Sequence, residues 1–123
     1  GYAIADPLLI DELMKACQAW NVSYNALAAA QTALKDQDYI SKIKQLTTEG
    51  RIYLTDELKK LGCTLAAPCA NFIYFDTHRD PKKIRAALAE RNIMISAFDF
   101  NRVSIGTKEQ NEAFIAALKE ILA

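Results

Sequence analysis

Few side chains in this sequence are placed to do chemistry, and Arg102 comes first among them. It leads the alternating run Arg102-Val103-Ser104-Ile105, which in a strand puts Arg102 and Ser104 on the face opposite Val103 and Ile105. A guanidinium holds its donors in a fixed fork that matches a carboxylate or a phosphate. The alternative is an edge arginine whose stem lies on the sheet and whose head reaches water. Asn71 opens the apolar run Phe72-Ile73-Tyr74-Phe75 and is placed to support such a site. His78 is the single histidine and sits in the polar stretch Asp76-Thr77-His78-Arg79-Asp80. One imidazole with no second patterned ligand fits a solvated loop better than a metal centre or a general base. Cys17, Cys63 and Cys69 have neither disulfide-framework nor metal-ligand spacing, and read as packed or incidental thiols of a reducing compartment. Glycine-rich and lysine-bearing phosphate loops are absent.

The elements that must position these residues fall into two halves. Tyr2-Ala3-Ile4-Ala5 suggests a short strand. Asp6-Pro7 starts a helix, an acceptor cap followed by a residue suited to the first helical position. Leu9, Leu13, Cys17 and Trp20 carry its apolar face to about residue 20. Ser23 caps a second helix rich in alanine. The third is the longest, with Ile40, Ile43, Leu46, Gly50, Leu54, Leu58 and Leu61 on one stripe. Gly50 in its interior costs about 1 kcal/mol relative to alanine, and points to a bend or a close neighbour.

After Gly62 the pattern changes. Cys63-Thr64-Leu65 is a weak strand, and residues 71–75 are apolar on both faces, as in the centre of a sheet. Asp80-Pro81 repeats the helix-start signal, and the strand Ile93-Met94-Ile95-Ser96 follows. A short turn over 97–101 leads to the Arg102 strand, and Thr107 with Gln110 makes a capping box for the last helix. A helix between two strands implies a parallel crossover, and the short turn an antiparallel partner. The expected fold is therefore α/β: N-terminal helices and a long bridging helix, then a small βαββα domain with a mixed sheet. The boundaries fall at 1–38, 39–62 and 63–123.

Composition narrows the function classes. The 123 residues carry 15 Lys+Arg and 15 Asp+Glu, with 51% hydrophobic residues. That length suits one domain with a genuine core. The balanced charge argues against a nucleic-acid binder, and no apolar run is long enough to span a membrane. Asn21-Val22-Ser23 matches a glycosylation acceptor, but no secretory signal precedes it, so a cytoplasmic location is expected.

Taken in order, several blocks resemble the C-terminal portion of a fold-type I pyridoxal-phosphate aminotransferase, most of all the histidinol-phosphate aminotransferase family. They are Gly1-Tyr2-Ala3-Ile4-Ala5-Asp6-Pro7, Trp20-Asn21-Val22-Ser23, Ala70-Asn71-Phe72-Ile73, Glu90-Arg91-Asn92-Ile93, and Arg102-Val103-Ser104-Ile105-Gly106-Thr107. The resemblance implies that Arg102 binds the substrate α-carboxylate, with Asn71 and Asn21 as polar neighbours of the cleft. It implies pyridoxal phosphate in a full-length parent, a homodimer acting on an amino acid or phosphorylated amine and a 2-oxo acid. The cofactor's lysine would lie in a missing N-terminal cofactor-binding domain, so this chain alone is expected to hold no cofactor firmly and to be inactive. One departure stands out: Ser96 occupies the position where the family usually has an arginine.

Two other readings compete. A threonine-phosphate decarboxylase of the same fold shares some of these blocks, and a stand-alone interaction module would leave Arg102 merely solvated. Under the first reading, residues 1–38 carry surfaces meant for burial. The isolated chain is then expected to self-associate or to rearrange those surfaces, and deleting residues 1–38 to drop solubility or helix content sharply. Solubility and circular dichroism of both forms check it, and a sharp drop in neither contradicts it.

Overall fold

A computed structural model describes residues 3–18 and 21–123. The chain divides into two units, residues 1–37 and 38–123. In the first unit, α1 spans Pro7–Ala16 and α2 spans Tyr24–Lys35. Both start on the expected caps: Asp6 Oδ1 accepts the Leu8 N–H at 2.9 Å and Ser23 Oγ accepts the Ala26 N–H at 3.2 Å. Neither helix buries a side chain. The strand expected over residues 2–5 does not form at Ala3, Ile4 or Ala5, and no strand of this unit lies among the described residues to pair with it. Helix α1 also stops short of residue 20. Cys17 turns to extended backbone and its N–H closes the last turn on the Leu13 carbonyl at 3.1 Å. Tyr2 and Trp20 lie outside the described residues.

The second unit holds the sheet. Helix α3 runs from Gln37 to Lys60, followed by β1 (Thr64–Leu65), β2 (Phe72–Asp76), α4 (Pro81–Ala89), β3 (Ser96–Ala97), β4 (Asn101–Ser104) and α5 (Lys108–Leu122). This is the expected α/β element order, but the sheet is not mixed. Its order is β1-β2-β4-β3 and every ladder is antiparallel. Strands β2 and β3, joined through α4, do run in the same direction. Strand β4 inserts between them, so no parallel ladder forms. The strand expected over 93–96 is also reduced to Ser96–Ala97. Its first part is taken by the end of α4: Asn92 adopts φ 59°, its N–H reaches the Ala89 carbonyl at 3.0 Å, and the Ile93 N–H reaches the Leu88 carbonyl at 3.0 Å. Helix α3 ends the same way, with Gly62 at φ 79° and the Gly62 and Cys63 N–H groups on the carbonyls of Lys59 and Leu58.

The core lies on one face of this sheet. Ile73, Phe75 and Val103 pack with Leu54 and Leu58 of α3, Ile84 and Leu88 of α4, and Phe114 and Leu118 of α5. The Phe75 and Phe114 rings meet edge to face at 5.8 Å. Strand β2 is central, but only one of its faces is covered: Ile73 and Phe75 are buried while Phe72 is half-buried and Tyr74 exposed. Asn101 is buried on the covered face, where its Nδ2 donates to the Pro81 carbonyl at 2.9 Å and ties the start of α4 to β4. The capping box forms as read, with Thr107 and Gln110 bonded reciprocally. Among the described residues no helix is long and apolar enough to cross a membrane.

Gly50 marks a close approach. It is buried, and a Cβ there would lie 2.6 Å from Ile105 Cγ2 and 2.9 Å from Asn111 Nδ2. Neither neighbour yields easily. Ile105 is β-branched, and the buried Asn111 side chain accepts from the Gly106 N–H at 2.9 Å and donates to the Gly106 carbonyl at 3.2 Å. Gly50→Ala is therefore expected to destabilise the second unit by about 1–3 kcal/mol, although alanine is the better helix former. Urea denaturation checks the sign.

Candidate functional site

The β2–β4 register decides what stands on the open face of the sheet. Phe72 pairs with Ser104, Tyr74 with Arg102, and Ser96 of β3 with Arg102. The pleat puts these five side chains on one side, opposite Ile73, Phe75 and Val103. Arg102 is half-buried there. Its Nη2 donates to Ser96 Oγ at 3.3 Å, and its Cζ lies 5.2 Å from the centre of the Phe72 ring and 5.8 Å from that of Phe98. These distances bring the cation within reach of both ring faces. Phe72 in turn meets Tyr74 edge to face at 5.3 Å.

Among the described residues no carboxylate makes an ion pair with Arg102. Arg91 is the arginine of the unit that lies near a carboxylate, whereas Arg51 and Arg79 spend donors on backbone carbonyls. Arg51, also half-buried, uses its Nε on the Ala70 carbonyl at 3.1 Å. Arg79 closes the end of α5 on the Ile121 and Leu122 carbonyls, and Arg91 lies 3.5 Å from Glu120. A partly desolvated cation with most of its fork open has the donors to accept an anion supplied from outside.

Asn71 lies at the start of β2 with its side chain exposed, and its carbonyl accepts the Ile105 N–H at 2.9 Å. The structure thus brings Asn71 and Arg102 to the same pair of strands. Asn21 is exposed in the first unit, two residues before the Ser23 cap. The sequence did not point to Phe98 or to Ser96 as an arginine partner, because that pairing exists only once the β3–β4 register is known. Buried Asn101 was legible in principle, since it shares the parity of Val103.

The remaining candidates resolve into structural roles. His78 is exposed at φ 58°, its N–H bonded to Asp76 Oδ1 at 2.8 Å and its Nε2 3.2 Å from Thr64 Oγ1. The described residues contain no cluster of three or more metal-binding side chains. All ten lysines are exposed. A groove of about 570 Å³ runs between α3 and α5, but its charges, Lys42, Glu49, Lys108 and Glu112, are of both signs. It shares no lining residue with the Arg102 cluster.

A model of the family described as aminotransferase class I and II matches residues 1–118. The chain is 37% identical over its whole length to a histidinol-phosphate aminotransferase of Moorella thermoacetica, of which it covers 33%. It is 35% identical, again over its whole length, to histidinol-phosphate aminotransferase 2 of Pseudomonas aeruginosa, of which it covers 35%. The crystal structure of the histidinol-phosphate aminotransferase from Clostridium acetobutylicum superposes with a TM-score of 0.80 at 28% identity, over 93% of this chain and 38% of that one. The chain therefore spans about a third of the length of the curated relatives it matches.

The thiols separate by burial. Cys17 and Cys69 are exposed, whereas Cys63 is buried and desolvation pushes its thiol pKa up. Iodoacetamide at neutral pH is expected to alkylate Cys17 and Cys69 in the folded chain and Cys63 only after denaturation. Peptide mass mapping checks this, and labelling of Cys63 at the rate of Cys69 contradicts it.

Proposed function

Since the chain belongs to the class I and II aminotransferase family, we propose that it supplies the carboxylate-binding part of a histidinol-phosphate aminotransferase-like enzyme. In this reading Arg102 takes the α-carboxylate of an amino-acid substrate through two parallel N–H···O bonds, and so orients the amino group for transfer to a 2-oxo acid. Asn71, and Asn21 of the first unit, are assigned supporting substrate-binding roles in the full-length enzyme. The observation that carries the reading is the half-buried Arg102, held on an open sheet face with no carboxylate of its own.

Pyridoxal phosphate is the cofactor this family implies, and it needs an amine for its aldehyde and a cradle for its phosphate. The residues of this chain do not fit it by themselves. Every lysine is exposed, and neither the groove between α3 and α5 nor the pocket beside β1 and β2 gathers a lysine–arginine cradle. We place the cofactor's lysine and phosphate site in the remaining two-thirds of a longer, cytoplasmic, homodimeric protein, without which this chain is inactive. The apolar side chains of α1 and α2 support that placement: Leu8, Leu13, Met14, Leu27 and Leu34 all stand exposed. Residues 1–38 would rest on that cofactor-binding domain, residues 39–62 would bridge to the small domain, and residues 63–123 would be the small domain itself. The substrate is histidinol phosphate or a related amino acid, and the neutral Ser96, which brings one cation fewer to a substrate phosphate, weighs against histidinol phosphate specifically.

The test is made in the longer protein that carries this sequence. Arg102→Gln is expected to lower kcat/KM for the carboxylate-bearing substrate by about 10²-fold, and Arg102→Lys by less, since lysine keeps the charge and loses the fork. Unchanged kcat/KM in Arg102→Gln overturns the role of Arg102. Release of carbon dioxide in place of amino transfer overturns the transaminase reading in favour of a decarboxylase.

A further inference from the structure

We infer that Ser96, Phe72 and Phe98 are positioning residues that hold the Arg102 guanidinium in one plane, with its free edge presented to a planar carboxylate. The inference rests on the carboxylate-binding reading of Arg102 and adds what makes that arginine selective. An arginine at the end of a long stem has many rotamers, and a fork that samples all of them binds a carboxylate poorly. Here three groups from three different elements restrain it. Phe72 comes from β2, Ser96 from β3, and Phe98 from the turn between β3 and β4.

The restraints divide the guanidinium by direction. Its π faces are weakly hydrated and are the parts that a ring covers at little desolvation cost. Its N–H donors all point outward in the plane. Ser96 Oγ accepts from Nη2 alone and fixes rotation in that plane, leaving the rest of the fork unoccupied. The hydroxyl is neutral, so it orients the cation without cancelling its charge. A carboxylate or aspartate side chain at the same place would have done both.

Phe98 is hard to explain otherwise. It is 60% exposed on a turn whose backbone is closed by the Phe98 N–H on the Phe100 carbonyl at 2.9 Å. The aromatic-ring contact found for it is the one with Arg102. That closure is made by backbone groups alone, which leaves the ring to lie over the arginine. Phe72 has a second ring contact, with Tyr74, and so anchors the pair to the sheet.

The experiment uses the 123-residue chain, labelled with ¹⁵N, and the monocarboxylate 3-phenylpropanoate with its primary amide as control. Two quantities are read by NMR: the rotation rate of the Arg102 guanidinium about its Nε–Cζ bond, and the affinity for each probe. Expected in the wild type are slow rotation and binding of the carboxylate but not of the amide. Ser96→Ala and Phe98→Ala should each speed rotation and weaken carboxylate binding about three- to fivefold, with the thermal midpoint unchanged. Ser96→Thr and Phe98→Tyr should restore both. Rotation in the wild type as fast as in a free arginine overturns the inference, as do Ser96→Ala and Phe98→Ala variants that bind like wild type while Arg102→Gln does not bind. Equal binding by Arg102→Gln, or by carboxylate and amide alike, instead overturns the carboxylate reading itself.

Discussion

The antiparallel register of β2 against β4 is the constraint on which the rest of the second unit depends. Pairing Ile73 with Val103 and Phe75 with Asn101 turns one set of side chains into core and the other into the open face. A slip of one residue would exchange them. Phe72, Tyr74 and Arg102 would then meet three helices, and Ile73, Phe75 and Val103 would meet water. Burying a cation among leucines is far costlier than exposing an isoleucine, so the arginine enforces the register as firmly as the core does. The same residue thus serves the fold by being unable to enter the interior and the site by what it offers outside it.

Polar groups buried in the core carry a second layer of specification. Asn101 secures α4 to β4, and Asn111 grips both backbone groups of Gly106. The Asn111 grip explains why α3 tolerates a glycine at residue 50, where any side chain would press on Asn111 and Ile105. The loop that follows the Arg102 strand is therefore fixed from behind by α3 and α5, and the open face inherits a rigid support.

Most of the element order was legible because its punctuation is local. Asp6-Pro7, Ser23, Asp80-Pro81 and Thr107 with Gln110 each announce a helix start through bonds made within three residues, and each forms. What stayed illegible depends on partners remote in sequence. The insertion of β4 between β2 and β3 leaves no periodicity to read, and neither does the Ser96–Arg102 bond. The run Ile93-Met94-Ile95 has good strand chemistry, yet the C-terminal turn of α4 claims its start through Asn92. Arg102 itself could be singled out by alternation and residue type alone. Its environment of two rings and a hydroxyl could not.

The two helices of the first unit have a consequence for how the chain holds together in time. With 10 and 12 residues and no buried side chain, α1 and α2 rest on their caps and on intrinsic propensity, and helices of that length are marginal in water. Their amide protons are then open to exchange through local fraying, whereas those of β2, β4 and the inner face of α5 exchange only when the whole second unit opens. Within the first unit, order is kept by caps and propensity; within the second, it is kept by a shared core.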